Sequence, residues 1–224
     1  MEPILRQDLR SARPLSGRAR VVLCLAGLMW FGLVGVGLWA LWGYKNTPGV
    51  AAESPHQWPA SSQIRPTEHR STLVMLAHPH CPCTRASLGQ LASIMAHSQG
   101  RLNAFVLFIK RAGAAPDWEQ TDLRQKATAI PGVEVIYDDD GHEARLFNAA
   151  TSGQVVLYGP NGQLLFSGGI TSARGHFGDN AGENSIISFV NQGNSDLTET
   201  SVFGCPLFDP QSECRTSIDD GKNQ

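Results

Sequence analysis

Apolar and polar positions change texture along this chain. Val21–Trp42 (VVLCLAGLMWFGLVGVGLWALW) carries no charged residue. At ~1.5 Å per residue such a run crosses a hydrocarbon core of ~30 Å, which predicts a transmembrane helix over residues 21–43 behind an N-terminal tail, 1–20. Residues 44–70 mix Pro, Ser, Ala and polar groups without an apolar period and read as a linker, with Trp58 its candidate docking residue. From residue 71 short apolar runs alternate with helical spacing. TLVMLA (72–77), NAFVLFI (103–109) and VEVIY (133–137) have the length and composition of buried strands. Leu88, Leu91, Ala92 and Met95 fall on one helical face, so a helix is expected from about Cys83 or Thr84. Further helices are expected over 117–128, 143–149 and 183–191. QVVLYGPNGQLLFSG reads as two strands joined at Gly-Pro-Asn-Gly.

Strand, helix, strand, helix, strand, helix, hairpin, helix is an order with few solutions. Right-handed crossovers make the first three strands parallel, and the hairpin adds antiparallel partners. The expectation is an α/β domain over 71–193, a mixed central sheet flanked by helices, followed by a C-terminal tail, 194–224, holding a cysteine pair. The acidic run Asp138–Asp140 reads as a solvated turn at a strand end.

Charge adds orientation and exclusions. Arg6, Arg10, Arg13, Arg18 and Arg20 precede the apolar run, while the first charge after it is Lys45. The positive-inside rule then keeps the N-terminus in the cytoplasm and exports the rest, with Trp39, Trp42 and Tyr44 at the interface. A cleaved signal peptide at Ala51-Ala52 is the alternative, but its apolar region runs only ~7–15 residues. A net charge of −2 gives no basic surface for nucleic acid. Motifs for nucleotide, flavin or haem (GxGxxG, GxxxxGK, CxxCH) are absent, so no cofactor is expected.

The chain has 5 cysteines. Cys24 lies in the apolar run; the others form two close pairs, Cys81/Cys83 and Cys205/Cys214, a pattern suited to an oxidising compartment or a metal. Cys81-Pro82-Cys83 sits between the first strand and its helix, where thioredoxins keep their cysteines, and residues 70–193 resemble the thioredoxin fold. More closely, WPASSQ, HPHCPCTRASL, LLFSGGITSARGHFGDNAG and FGCPL are similar to the bacterial RedB proteins, which implies a membrane-anchored, thioredoxin-like protein of the inner membrane with its domain in the periplasm. Thioredoxins space their cysteines by two residues and carry a cis-proline before the hairpin; here the spacing is one residue, and Gly153 stands at the proline's place.

A thiol at a helix N-terminus meets free N–H groups and the positive dipole end, which favour the nucleophilic thiolate. His78, His80 and Arg85 add to this when charged. A Cys81–Cys83 disulfide closes a tight ring around Pro82, as a cycling bond should. The expected roles are attack by Cys81 and resolution by Cys83. Arg174, His176, Asp179 and Asn180, in the polar segment 168–182, can reach over the pair, His176 as proton shuttle, thiolate partner or metal ligand; the plainer reading is a capped surface loop. Ser152 and Gly153 are expected as the opposite wall. Cys205 and Cys214 most simply form a structural disulfide; exchange with Cys81/Cys83 or a share in a metal site are the alternatives.

The functional expectation is a membrane-anchored thiol–disulfide oxidoreductase acting on a protein thiol or disulfide partner, such as a maturing cytochrome or copper protein. Two other readings stand beside it. One is a Cu(I)-binding metallochaperone using Cys81, Cys83 and a histidine such as His78, a soft ligand set. The other is an interaction module with a structural cysteine pair.

Overall fold

A computed structural model describes residues 16–50, 52–67, 69–98, 100–110, 113, 118 and 120–208. The chain divides at Tyr44 and Lys45 into two compact units. The first is dominated by helix α1 (Gly17–Asn46), which buries no residue and is long and apolar enough to cross a membrane. The remaining elements belong to the second unit: β1 (Ser71–Ala77), α2 (Thr84–Ser98), β2 (Leu102–Lys110), α3 (Asp122–Thr128), β3 (Val133–Asp139), α4 (His142–Leu146), β4 (Gln154–Tyr158), β5 (Leu164–Gly169) and α5 (Ala181–Gln192).

One 5-stranded sheet runs in the order β3-β2-β1-β4-β5. β1 is central, parallel to β2 and antiparallel to β4, and β2 is parallel to β3. A strand covered on both faces has no reason to alternate, and the unbroken run in β1 follows from that. Leu73, Met75 and Ala77 face α2 and α5, meeting Leu88, Leu91, Ile94 and Ile186. Val74 and Leu76 face the other side with Phe105, Leu107, Phe147, Val156 and Tyr158.

Two segments without regular structure complete this second face and the sheet edge. In the linker, Trp58 packs edge-on to Phe147 and Tyr158, ring centroids 5.2 Å apart in each case. Backbone bonds hold it there: Trp58 N–H donates to Gly162 O (2.8 Å), and Leu164 N–H to His56 O (2.9 Å). Beyond α5 the chain runs back along β5. Ser167 N–H donates to Thr198 O (3.0 Å), and Thr200 Oγ1 both accepts from Gly169 N (3.0 Å) and donates to Gly169 O (2.7 Å). The chain lies this close because Gly168, Gly169 and Gly182 have no Cβ. One on Gly168 would stand 2.4 Å from Thr200 O, and one on Gly169 2.5 Å from Ser201 O.

The acidic run is not wholly a solvated turn. Asp139 and Asp140 are exposed, but Asp138 is buried and accepts from the N–H groups of Glu143 and Ala144, 2.8 Å each, at the start of α4. Burial outweighs these bonds and holds its carboxyl above the usual range. An Asp138→Ala chain leaves two buried donors without their acceptor, at ~1–3 kcal/mol each, while removing a buried charge. A net loss of about 2 kcal/mol is expected in chemical denaturation; a loss below ~0.5 kcal/mol would show that water replaces the carboxylate.

Candidate functional site

Beyond Ala77 the chain tightens into the first turn of α2. Cys81 N–H donates to His78 O (3.2 Å), Thr84 N–H to Cys81 O (3.1 Å), and Ala86 N–H to Cys83 O (3.1 Å). Pro82 fits this turn because an N–H there would have no helical acceptor. Ser152, in the loop before β4, fastens the turn from across the sheet. Its Oγ accepts from His78 N (2.9 Å) and lies 3.0 Å from Thr84 Oγ1. Gly153 follows with φ +91°, its N–H donating to Leu76 O (2.8 Å). A Cβ there would come to 3.0 Å of Ser87 Oγ, so the loop and α2 are as close as a glycine allows.

The same loop holds a second segment. Ser152 N–H donates to Cys205 O (2.8 Å), Leu207 N–H donates to Ala150 O (2.9 Å), and Thr151 and Pro206 form an antiparallel bridge. Gly204 rides so near Ser152 O that a Cβ on it would stand 1.8 Å away. Arg174 Nη1 donates to Gly204 O. This short ladder carries Cys205 over the turn, its Sγ 3.0 Å from Cys81 Sγ. Cys81 is 2 % and Cys83 8 % exposed, whereas Cys205 is half-buried.

Three thiols therefore share one site, and they do not share protons equally. Hydrogen bonds from Cys205 and then Cys83 hold Cys81 far below the ordinary thiol range, against burial. Cys205 is driven far above that range by its bonds to Cys81 and Cys83 and by burial. For Cys83, the bond with Cys205 lowers the thiol and Arg174 helps, but the bond with Cys81, burial and the Cys81 charge prevail, and the net shift is upward. These shifts favour ionisation of Cys81 over that of Cys83 or Cys205.

The other expected residues are distributed unevenly. Arg174 is at the site, acting on Cys83 and on the Cys205 segment. His80 is exposed and lies against Trp118, centroids 4.2 Å apart; His78 meets the same indole edge-on at 5.8 Å and accepts on Nδ1 from His80 N (3.2 Å). His176 is exposed in a turn, its N–H donating to Ala173 O (3.2 Å). Arg85 turns to Asp122 in an exposed ion pair rather than to the thiols. Asn180 is the N-cap of α5, accepting from Glu183 N (2.9 Å), and Asp179 is exposed; the buried Gln90 ties Gly178 to α2. Cys214 lies outside the described residues, and with it the expected Cys205–Cys214 bond. No group of three or more His, Cys, Asp or Glu side chains is placed to hold a metal among the described residues. The sequence assigns neither Trp118 nor Gly204 to this site, and it brings Cys205 to Cys81/Cys83 only as an alternative to its pairing with Cys214.

No protein-family model matches this chain, and no curated protein does. Among solved structures, the hypothetical protein SMc02350 of Sinorhizobium meliloti superposes with a TM-score of 0.53 at 20% identity, over 72% of this chain and 93% of that one. An uncharacterised conserved protein of Geobacillus kaustophilus gives 0.52 at 14%, over 74% and 94%. A secreted disulfide oxidoreductase of Mycobacterium tuberculosis is also found, at 0.40 and 14%, over 56% and 83%, a likeness too slight to carry chemistry across. A central strand running into a cysteine-bearing helix turn, inside a mixed sheet of this order, decides the architecture. The fold is thioredoxin-like. In this thioredoxin-like domain the cysteine turn and the loop before β4 face one another, and the Cys205 segment lies along that loop.

Proposed function

We propose that the chain is a thiol–disulfide oxidoreductase, anchored by α1 in a bacterial inner membrane with its domain on the periplasmic side. The observation that carries this is the placement of Cys81 at the N-terminal turn of α2 with Cys205 Sγ 3.0 Å from its sulfur, surroundings that lower the Cys81 thiol far below its ordinary range. Inert core cysteines stay protonated, and burial alone raises them. Cys81 attacks one sulfur of a partner's disulfide, and the partner's other sulfur leaves as a thiolate. A neighbouring thiol, Cys83 in the simplest scheme, then attacks Cys81 Sγ and releases the partner's first sulfur. Two partner thiols and one enzyme disulfide result. The Arg174 charge lowers the cost of ionising Cys83 for that second step. A periplasmic protein thiol or disulfide, such as a maturing cytochrome or copper protein, is the proposed partner class, and the resemblance to RedB proteins agrees with an exported domain.

The test is a redox titration of the full chain in detergent, in glutathione buffers, with free thiols trapped by alkylation and counted by mass. Reversible two-electron oxidation involving the tryptic peptide Ser71–Arg85 is expected at a potential between roughly −270 and −120 mV, the span from thioredoxin to a strong oxidant. If that peptide stays reduced throughout and the chain binds one Cu(I) instead, the metallochaperone reading takes its place.

A further inference from the structure

The redox reading above needs two thiols, yet the fold delivers a third. Cys205 does not drift into the site from a loose tail. It is brought by a backbone ladder to residues 150–152, by the bare Cα of Gly204 against Ser152 O, and by Arg174 on Gly204 O. Upstream, Thr198–Ser201 is held along β5 by the bonds to Ser167 and Gly169 and by the glycines that let it approach. An extended segment that pairs with the loop before β4 and presents a sulfur to Cys81 has the geometry that a partner strand would take in forming a mixed disulfide. The chain thus occupies its own docking edge with its own cysteine.

We propose that Cys205 is a third redox thiol, and that the segment Gly204–Leu207 acts as a built-in partner whose cysteine forms a disulfide with Cys81. The proposal rests on the redox reading and adds to it. Starting from three thiols and glutathione disulfide, the Cys81 thiolate attacks one glutathione sulfur, and the other leaves as a thiolate. Cys205 gives up its proton, attacks Cys81 Sγ and expels the second glutathione, so two glutathione thiols and a Cys81–Cys205 bond are formed. Starting from a Cys81–Cys83 disulfide, Cys205 attacks Cys81 and the electron pair leaves on Cys83, which takes the proton. That step is an isomerisation without net oxidation. Either way Cys81, 2 % exposed, is reached by an external protein only when the segment lifts away. Cys205 is itself half-buried.

Trypsin separates the possible bonds cleanly, because Cys81 and Cys83 share the peptide Ser71–Arg85 and Cys205 lies in Gly175–Arg215. The full chain in detergent, carrying Cys214→Ser, would be poised in glutathione buffers, quenched in acid, alkylated and digested. Most of the oxidised chains are expected to show these two peptides joined, with Cys83 alkylated. Adding Cys83→Ser should keep the joined species; adding Cys81→Ser should lower it at least tenfold. A Cys81–Cys83 bond within one peptide, with Cys205 alkylated at every potential, would overturn the proposal and leave the redox reading standing. No disulfide in any pairing would remove both. Gly204→Val, which pushes the segment off Ser152 O, should cut the joined species about tenfold while a bond within Ser71–Arg85 still forms. Undiminished joining in that variant would show that the segment does not deliver Cys205.

Discussion

A Cys81→Ser chain is expected to reduce a small aromatic disulfide no faster than buffer does, while Cys24→Ser, altered only on the apolar helix α1, behaves as the parent. A serine hydroxyl is not ionised near neutrality and does not attack sulfur. The remaining thiols, Cys83 at 8 % exposure and the half-buried Cys205, are not the attacking sulfur of the proposed mechanism. In the parent chain the pH profile carries the sharper information. An ordinary thiol of pKa ~8.5 is ~3% thiolate at pH 7 and ~0.03% at pH 5, so its reaction falls tenfold per unit. Cys81 is lowered far below that, chiefly by its bonds to Cys205 and Cys83, so its thiolate persists across this range. The burst of aromatic thiolate released when reduced chain meets the probe should therefore keep a nearly constant rate from pH 8 to pH 5. A tenfold fall per unit would mean that Cys81 is an ordinary buried thiol and that the proposed mechanism has no nucleophile.

Much of the scaffold under that thiolate was legible in the sequence, for reasons that are local. TLVMLA is a buried central strand because nothing polar interrupts it, and β1 occupies Ser71–Ala77. Proline at 82 and the apolar spacing after it place the helix start, and α2 begins at Thr84. Gly-Pro-Asn-Gly turns the chain between β4 and β5, with Gly162 at φ +76°. These signals lie within a few residues of what they specify. The helix expected over 117–128 shows its limit, since regular α3 covers only Asp122–Thr128 and Trp118 instead meets the two histidines.

What was not legible depends on residues far apart in the chain. The bond from Ser152 N to Cys205 O joins two loops without apolar period, and the signal that permits it is the absence of a side chain at Gly204. A glycine near the end of a chain reads equally well as a loose tail. The same holds for Asp138, whose neighbours in sequence suggest solvent but whose carboxylate is covered by the start of α4. Spacing favours Cys214, outside the described residues, as the partner of Cys205 and leaves exchange with Cys81/Cys83 as an alternative. The fold gives Cys205 a sulfur neighbour much farther away in sequence, in Cys81.

The glycines that bring this terminal segment onto β5 can be tested by a substitution whose sign two effects dispute. Gly182 lies in the first turn of α5, and there alanine is the better helix former by up to ~1 kcal/mol. Its φ is not positive, so alanine brings no backbone strain. Space opposes it, because a Cβ would stand 2.1 Å from Gly169 O and 3.2 Å from Gly169 C, both backbone atoms that cannot rotate away. Relief requires α5 to move off the end of β5 by roughly 1 Å, an overpacking cost of ~1–3 kcal/mol. The movement also loosens the paired bonds of Thr200 Oγ1 to Gly169, worth ~0.5–1.5 kcal/mol each. Space should win. Gly182→Ala is expected to lose about 2 kcal/mol and to melt about 4–8 °C lower in calorimetry of the full chain in detergent, at ~2–4 °C per kcal/mol for a domain of this size. Because Thr200 anchors the segment that ends at Cys205, the same variant should also form less of the Cys81–Cys205 bond in an oxidising buffer. A melting point raised by the substitution would show that helix propensity prevails, that α5 does not sit against Gly169 O, and that the segment reaches Cys81 by other supports.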